Sequence, residues 1–320
     1  MKSTTKFVII AVGLLLFIIF YWRQKVSLDQ LEARLHNLTA DRNINSVSFP
    51  SLETILPHLR GLLNSPALQP LFVLPNRRLP PVKVVIGMPT IQRASSVSYL
   101  SNTLRMFVDR ADPQYLNATR IVVMISHEIG TSSPWVQETL ASLKTQFDTE
   151  IESGFIQVIG LPPAFLPPDL HSIRPTLGDD QHRSKQNLDF LYIMSFAAPM
   201  GDYYMQMEDD IEPSYNYTAT ASVLACLGTI GKMMRTADAP GLILTVAIEW
   251  TMKPVDWILE DYYSAQLCGY GISKIECPQI MKTSRPIIRP SIFQHLGYHS
   301  SLEGKIQKIK DKDFRLHPNI

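Results

Sequence analysis

Between residues 82 and 207, short β-branched runs alternate with stretches of helical spacing, and this alternation limits the possible folds more than any other feature. The run VKVVI at 82–86 lies between Pro80-Pro81 and the segment GMPT at 87–90, which reads as a strand delivering a loop. Val97, Leu100, Leu104, Phe107 and Val108 recur at the spacing of one helix face, so a helix is predicted over 95–108. Further strands are predicted over 120–126, 155–159 and 203–207. Helices over 134–148 and 183–196 separate them; the first has Ser132 and Ser133 near its cap and Pro134 in its opening turn. Strands alternating with helices imply an α/β body with a mostly parallel sheet covered on both faces. Sheets of this kind bind ligands at the carboxyl ends of their strands. No internal repeat is visible.

Composition narrows the function classes. Of 320 residues, 45% are hydrophobic and 18% charged, enough apolar material for a core, so wholesale disorder is excluded. Lys+Arg 30 against Asp+Glu 29 leaves +1, too little basic field for general nucleic-acid binding. Three cysteines without a CxxC exclude a disulfide scaffold and a cysteine-rich zinc module. GxGxxG, GxxxxGK[ST], HExxH and GxSxG are all missing, which removes the usual support for dehydrogenase, P-loop, zincin and α/β-hydrolase chemistry.

The N-terminus sets the expected compartment. Residues 7–22 (FVIIAVGLLLFIIFYW) form an uncharged run, short against the ~20 residues of a usual span. Lys6 and Arg23 can snorkel from its ends, and Tyr21 and Trp22 stand where an interfacial aromatic belt would be. No small-x-small site follows, so an uncleaved signal-anchor is favoured over a cleaved signal peptide. Lys2 and Lys6 before the run, against Arg23 and Lys25 after it, lean only weakly to a cytosolic N-terminus. Sequons at Asn37, Asn117 and Asn216 support a lumenal body. The expected order is a cytosolic tail at 1–6, an anchor at 7–22, a stem at 23–81 and a lumenal domain at 82–320, in a type II protein of the endoplasmic reticulum or Golgi membrane. Within the stem, Leu28, Leu31, Leu35 and Leu38 have the spacing of a short amphipathic helix, and prolines at 50, 57, 66, 70, 75, 80 and 81 mark an irregular linker.

The chemical signal is the acidic triplet Glu208-Asp209-Asp210, directly after the fourth predicted strand. Adjacent carboxylates repel one another and cost solvation if buried, so most such triplets are solvated turns. At the carboxyl end of a parallel strand they equally fit a hard divalent cation, Mg²⁺ or Mn²⁺, which in turn binds diphosphates. Spacing alone leaves both readings open.

Several blocks carry a resemblance. They are GMPT at 87–90, TQFDTEIESG at 145–154, SKQNLD at 184–189, 203–211, IGKM at 230–233, KPVDW at 253–257, and RPSIFQHLGYHSSL at 289–302 running on to GKIQK at 304–308. On these the chain resembles the N-acetylglucosaminyltransferase IV family, the alpha-1,3-mannosyl-glycoprotein 4-beta-N-acetylglucosaminyltransferases, as a short member lacking the C-terminal carbohydrate-binding domain. The similarity covers about 82–314. It implies a GT-A-like glycosyltransferase fold that transfers N-acetylglucosamine from UDP-N-acetylglucosamine, in β1,4 linkage, to a core mannose of N-glycans. Glu208-Asp209-Asp210 would be the Asp-x-Asp-type motif. Asp210 would ligate a divalent cation, Mn²⁺ by preference, while Glu208 and Asp209 contact the ribose side. Pro89, Thr90 and Arg93 would line the uridine pocket. Lys185 either meets the diphosphate or is a solvated helix lysine, and Arg289 is a parallel candidate for diphosphate charge. His295 and His299 either complete the metal shell, hold phosphate, or are hydrogen-bonded loop histidines. A carboxylate base would take the acceptor 4-hydroxyl proton while attack inverts the anomeric centre. Asp256 is the first candidate, followed by Glu260, Asp261 and Glu249, and Asp256 equally suits a cap or a structural pair.

The resemblance also pairs Cys268 with Cys277 and leaves Cys226 over. Between Asn216-Tyr217 and IGKM the family carries a further helix and strand that this chain lacks. The chain is thus expected to be either an active branching transferase or a weak or inactive lumenal regulator associating with other Golgi N-acetylglucosaminyltransferases.

Overall fold

In the computed structural model, two units are distinguished, Met1–Asn43 and Ile44–Ile320. The described residues are 52–62, 65–93, 98–173, 181–223, 232–269, 272–273, 275–284, 289–296 and 310–317, all in the second unit. The anchor predicted at 7–22, the leucines at 28–38, Asn37, Cys226 and His299 lie outside them. Among the described residues no helix is long and apolar enough to cross a membrane.

The predicted alternation forms one six-stranded sheet. In chain order, α1 (Leu52–Ile55) precedes β1 (Val73–Leu74) and β2 (Val82–Ile91). Then come α2 (Leu100–Asp109), β3 (Thr119–Ser126), α3 (Pro134–Gln146), α4 (Asp148–Ser153), β4 (Ile156–Gly160), α5 (Gln181–Ala197) and β5 (Gly201–Gln206). The strand order is β1-β4-β3-β2-β5-β7, where β7 is Lys232–Arg235. β4, β3, β2 and β5 run parallel, and antiparallel strands β1 and β7 close the two edges.

Two cores flank the sheet, as parallel strands covered on both faces require. Val84, Ile86, Met88, Ile121, Val123 and Ile125 face α2, α3 and α4. Val85, Val122, Met124 and Tyr204 face α5 and the later helix α7 (Ala239–Glu249). The two-residue period of β2 and β3 thus sorts their side chains between two cores.

Three differences from the sequence reading have physical causes. First, β2 runs on to Ile91 through the predicted GMPT loop. Its pairing with β5 stops at Gly87 while its pairing with β3 continues to Ile91, so Pro89, which lacks an N–H, sits where one edge is already unpaired. Second, the stretch assigned to a stem is folded from Leu52 onward. Leu52, Leu56, Leu59, Leu68 and Leu79 are at most 1% exposed. Tyr192 Oη donates to Leu68 O (3.0 Å) and Leu71 N donates to Gly160 O (3.0 Å). Arg120, the first charged residue of β3, reaches back to Pro80 O (2.8 Å). Prolines there break helix without breaking burial, because the leucines between them still find a core. Third, helix 134–148 splits at Phe147, which is buried and ends α3 with its backbone N–H on Leu143 O, while α4 restarts at Asp148.

Gly87 has a steric role. A Cβ on it would lie 2.2 Å from Tyr204 Oη, itself hydrogen-bonded to Gln206 Oε1 and fully buried. Gly87→Ala is expected to lower stability by about 1–3 kcal/mol in urea unfolding, as overpacking in a dense core does.

After β5 the chain forms β6 (Ile211–Pro213), α6 (Tyr217–Val223), β7, α7, α8 (Val255–Leu267), α9 (Cys277–Ser284) and β8 (Phe293–His295). β6 and β8 pair antiparallel, with Ile211 opposite His295. Phe107, Tyr217 and Phe293 pack ring to ring at 5.0, 5.9 and 6.0 Å between centroids, and Tyr217 Oη donates to Phe107 O (3.0 Å). This aromatic knot anchors β8 against α2 and α6. Cys268 and Cys277 are joined by a disulfide between the end of α8 and the start of α9.

Candidate functional site

β5 ends at Gln206, and Glu208-Asp209-Asp210 turns from it into β6 at the carboxyl edge of the sheet. The three carboxylates diverge. Glu208 keeps 48% of its side chain exposed, whereas the side chains of Asp209 and Asp210 are 6% exposed.

Asp209 is fully engaged by β2 and the residues that follow it. Thr90 Oγ1 donates to its Oδ2 (2.6 Å), Arg93 Nη1 donates to the same oxygen (2.9 Å), and Arg93 Nη2 binds Oδ1. Arg93 also lies 5.1 Å from the centre of the Tyr99 ring and 3.9 Å from Asp210 Oδ2. Burial works against the Arg93 charge, but the hydrogen bonds to Asp209 and the two carboxylates outweigh it and raise its pKa. Thr90 and Arg93, which the resemblance implies line a uridine pocket, hold the acidic turn. Pro89, half-buried, stands beside them in β2.

Asp210 faces His295. The β6–β8 register puts His295 Nδ1 3.4 Å from Asp210 Oδ1 and 3.8 Å from Glu208 Oε2, and Leu296 N donates to Asp210 O (2.8 Å). Neither Asp210 Oδ1 nor His295 Nδ1 has a hydrogen-bond partner among the described residues, though both are buried. Buried polar atoms normally have partners. Glu208, Asp210 and His295 offer three ligand atoms within 4.8 Å of one another. Two carboxylates and an imidazole fit a hard or borderline divalent cation, and the two atoms without a hydrogen bond are those such an ion would engage.

Lost hydration, then the Asp210 carboxylate, push Glu208 up to about 7, with Asp256 and Asp209 adding to the rise and His295 opposing it. For His295, burial disfavours the charged ring, but Asp210, Glu208 and Asp256 outweigh it and raise its pKa. Both effects place the Asp256 carboxylate within electrostatic reach of the cluster. Asp256 lies in the first turn of α8, where the helix dipole favours a negative charge.

Asn187 fixes that corner. Its Nδ2 donates to Trp250 O and Lys253 O (both 2.9 Å), pinning the α7–α8 turn to α5. Of the other carboxylates considered as bases, Glu249 (2.8 Å) and Asp261 are both bound by Lys253, while Glu260 is exposed on α8.

Lys185 is half-buried, so the solvated reading does not hold. Its Nζ donates to Ser126 Oγ (2.6 Å) and Asp189 Oδ2 (2.7 Å), and Ser126 Oγ donates to Asp189 Oδ1 (2.7 Å). This closed network stands at the carboxyl end of β3. Arg289 is exposed and forms an ion pair with Asp313. Asn117 is exposed in the turn before β3, and Asn216 is exposed with φ 57° before α6.

Sequence reasoning missed Ser126, Asp189 and Asn187 as parts of the site. Lys185 and Asp189 have the i,i+4 spacing of a helix ion pair, a legible signal. Nothing local pointed Asn187 at a turn more than sixty residues later.

Residues 47–314 match the family described as the MGAT4 conserved region. The chain is similar to alpha-1,3-mannosyl-glycoprotein 4-beta-N-acetylglucosaminyltransferase A of Gallus gallus, 36% identical over 304 residues, covering 89% of this chain and 55% of that protein. It is likewise similar to the same transferase of Bos taurus, 36% identical over 308 residues, covering 91% and 55%. To the B form of Danio rerio it is 33% identical over 304 residues, covering 89% and 54%. The chain thus spans about half the length of the curated relatives it matches.

Proposed function

Because this chain belongs to the family of the MGAT4 conserved region, we propose that it transfers N-acetylglucosamine from UDP-N-acetylglucosamine in β1,4 linkage to a core mannose of N-glycans. The observation that carries the proposal is the convergence of Glu208, Asp210 and His295 at the carboxyl edge of the sheet, with two buried ligand atoms that face each other at 3.4 Å without a well-formed hydrogen bond. The mostly parallel sheet supports assignment to a GT-A-like fold. The uncharged run at 7–22 and the three sequons support a type II anchor with this domain in the Golgi lumen.

Glu208, Asp210 and His295 would hold a divalent cation, Mn²⁺ by preference. When bound, it supplies Lewis-acid neutralisation of the leaving diphosphate. The chain's own groups do the rest. The nucleoside would lie over the carboxyl ends of β2 and β3 beside Pro89, while Thr90 and Arg93 act through Asp209. The Ser126–Lys185–Asp189 network would keep a cation at the same edge. Asp256, fixed by the corner that Asn187 pins, would accept the acceptor 4-hydroxyl proton as the anomeric centre inverts.

The test is transfer from UDP-N-acetylglucosamine to an N-glycan acceptor by the purified chain with MnCl₂. Asp256→Asn is expected to cut the rate by about 10²–10⁴-fold with little change in KM for the donor. An unchanged rate would remove Asp256 from this role. Absence of transfer by the native chain, together with co-purification of another N-acetylglucosaminyltransferase, would favour the regulator instead.

A further inference from the structure

The acidic turn carries a device that the motif does not disclose. Three consecutive carboxylates at one strand end would repel one another. Here the middle one is withdrawn. Asp209 accepts both arms of the Arg93 guanidinium and the Thr90 hydroxyl, so its two oxygens are occupied by β2 and the residues that follow it. Arg93 also stands 3.9 Å from Asp210 Oδ2, the oxygen turned away from His295, while Asp210 Oδ1 faces His295 at 3.4 Å. The guanidinium lies over the Tyr99 ring, 5.1 Å from its centre, a cation–π contact.

We propose that Arg93 is the positioning residue of this site: by holding Asp209 and flanking Asp210 it removes one carboxylate from the ligand set and aims the other at His295. The inference rests on the metal-site reading above. Arg93 is at most 7% exposed, and its hydrogen bonds join the acidic turn to the residues that follow β2. Outer partners of this type commonly set metal affinity by 10- to 100-fold.

Charge and geometry must be separated in the test. Replacing Arg93 by a neutral residue would leave more negative charge near the cation and mask any loss of order. Arg93→Lys keeps the charge and removes the two-armed fork. Thr90→Val keeps every charge and nearly the same shape, and removes only the hydroxyl bond. Binding of MnCl₂ alone to the full chain in detergent is measured by calorimetry, with thermal unfolding recorded alongside. Arg93→Lys is expected to weaken the Mn²⁺ Kd by about 10-fold, and Thr90→Val by a smaller factor in the same direction. A role limited to stability would lower Tm and leave Kd unchanged, and that result overturns the proposal. If Arg93→Lys does not fold, the Kd of Thr90→Val decides in the same way. If the native chain binds no Mn²⁺, the metal-site reading fails and takes this inference with it. If it binds and the folded variants bind equally well, only the positioning role fails.

Discussion

A chain begun at Val82 is expected to come out aggregated rather than folded. The segment it loses puts Leu52, Leu56, Leu59, Leu68 and Leu79 into the core and supplies the edge strand β1. Fully burying a leucine is worth about 1.5–3 kcal/mol, so five of them contribute on the order of 10 kcal/mol before chain entropy is counted. Total stabilities of about 5–15 kcal/mol leave little room for that loss. The deletion also strips cover from the face containing Phe165, Tyr192 and Leu242, and a bared apolar patch of that kind drives association. A single change measures the same effect more gently. Leu59→Ala is expected to cost about 2–5 kcal/mol in urea unfolding, as Leu→Ala does in packed cores. A soluble, cooperatively unfolding chain begun at Val82, or a neutral Leu59→Ala, would show that this segment is only laid against the body.

The second large effect is on chemistry. Asp210→Asn is expected to abolish Mn²⁺ binding and to lower transfer by on the order of 10³-fold, since charge stabilisation by a bound cation is worth several kcal/mol and each 1.36 kcal/mol is a factor of ten. The fold should survive. The substitution removes the charge facing His295, but the backbone carbonyl of Asp210 still accepts from Leu296 N, and the amide keeps the side-chain volume. Removing one of three crowded carboxylates relieves repulsion on Glu208 as well. Retained Mn²⁺ affinity in Asp210→Asn would place the ion elsewhere and undo the assignment of Glu208, Asp210 and His295.

Much of this was legible from local pattern. Strands at 82–86, 120–126, 155–159 and 203–207 are short β-branched or apolar runs, and such a run between turn residues and helical stretches needs no tertiary information to read. The triplet at a strand's carboxyl end followed from that assignment. The edge strands did not. β1 is two residues long and β7 four, too short for any period, and each exists because a neighbouring strand offers an unpaired edge.

The sequence by itself determined the alternating α/β order, the burial of the parallel strands on both faces, and the place of Glu208-Asp209-Asp210 at the ligand edge. Only the tertiary structure decided which carboxylate is free to bind. Pairing of Ile211 with His295 brings together residues more than eighty positions apart, and Arg93 reaches Asp209 across more than a hundred. Such contacts are fixed by register between strands and by the packing of Phe107, Tyr217 and Phe293 beneath them. Those are properties of the assembled core, and no local run of residues encodes them.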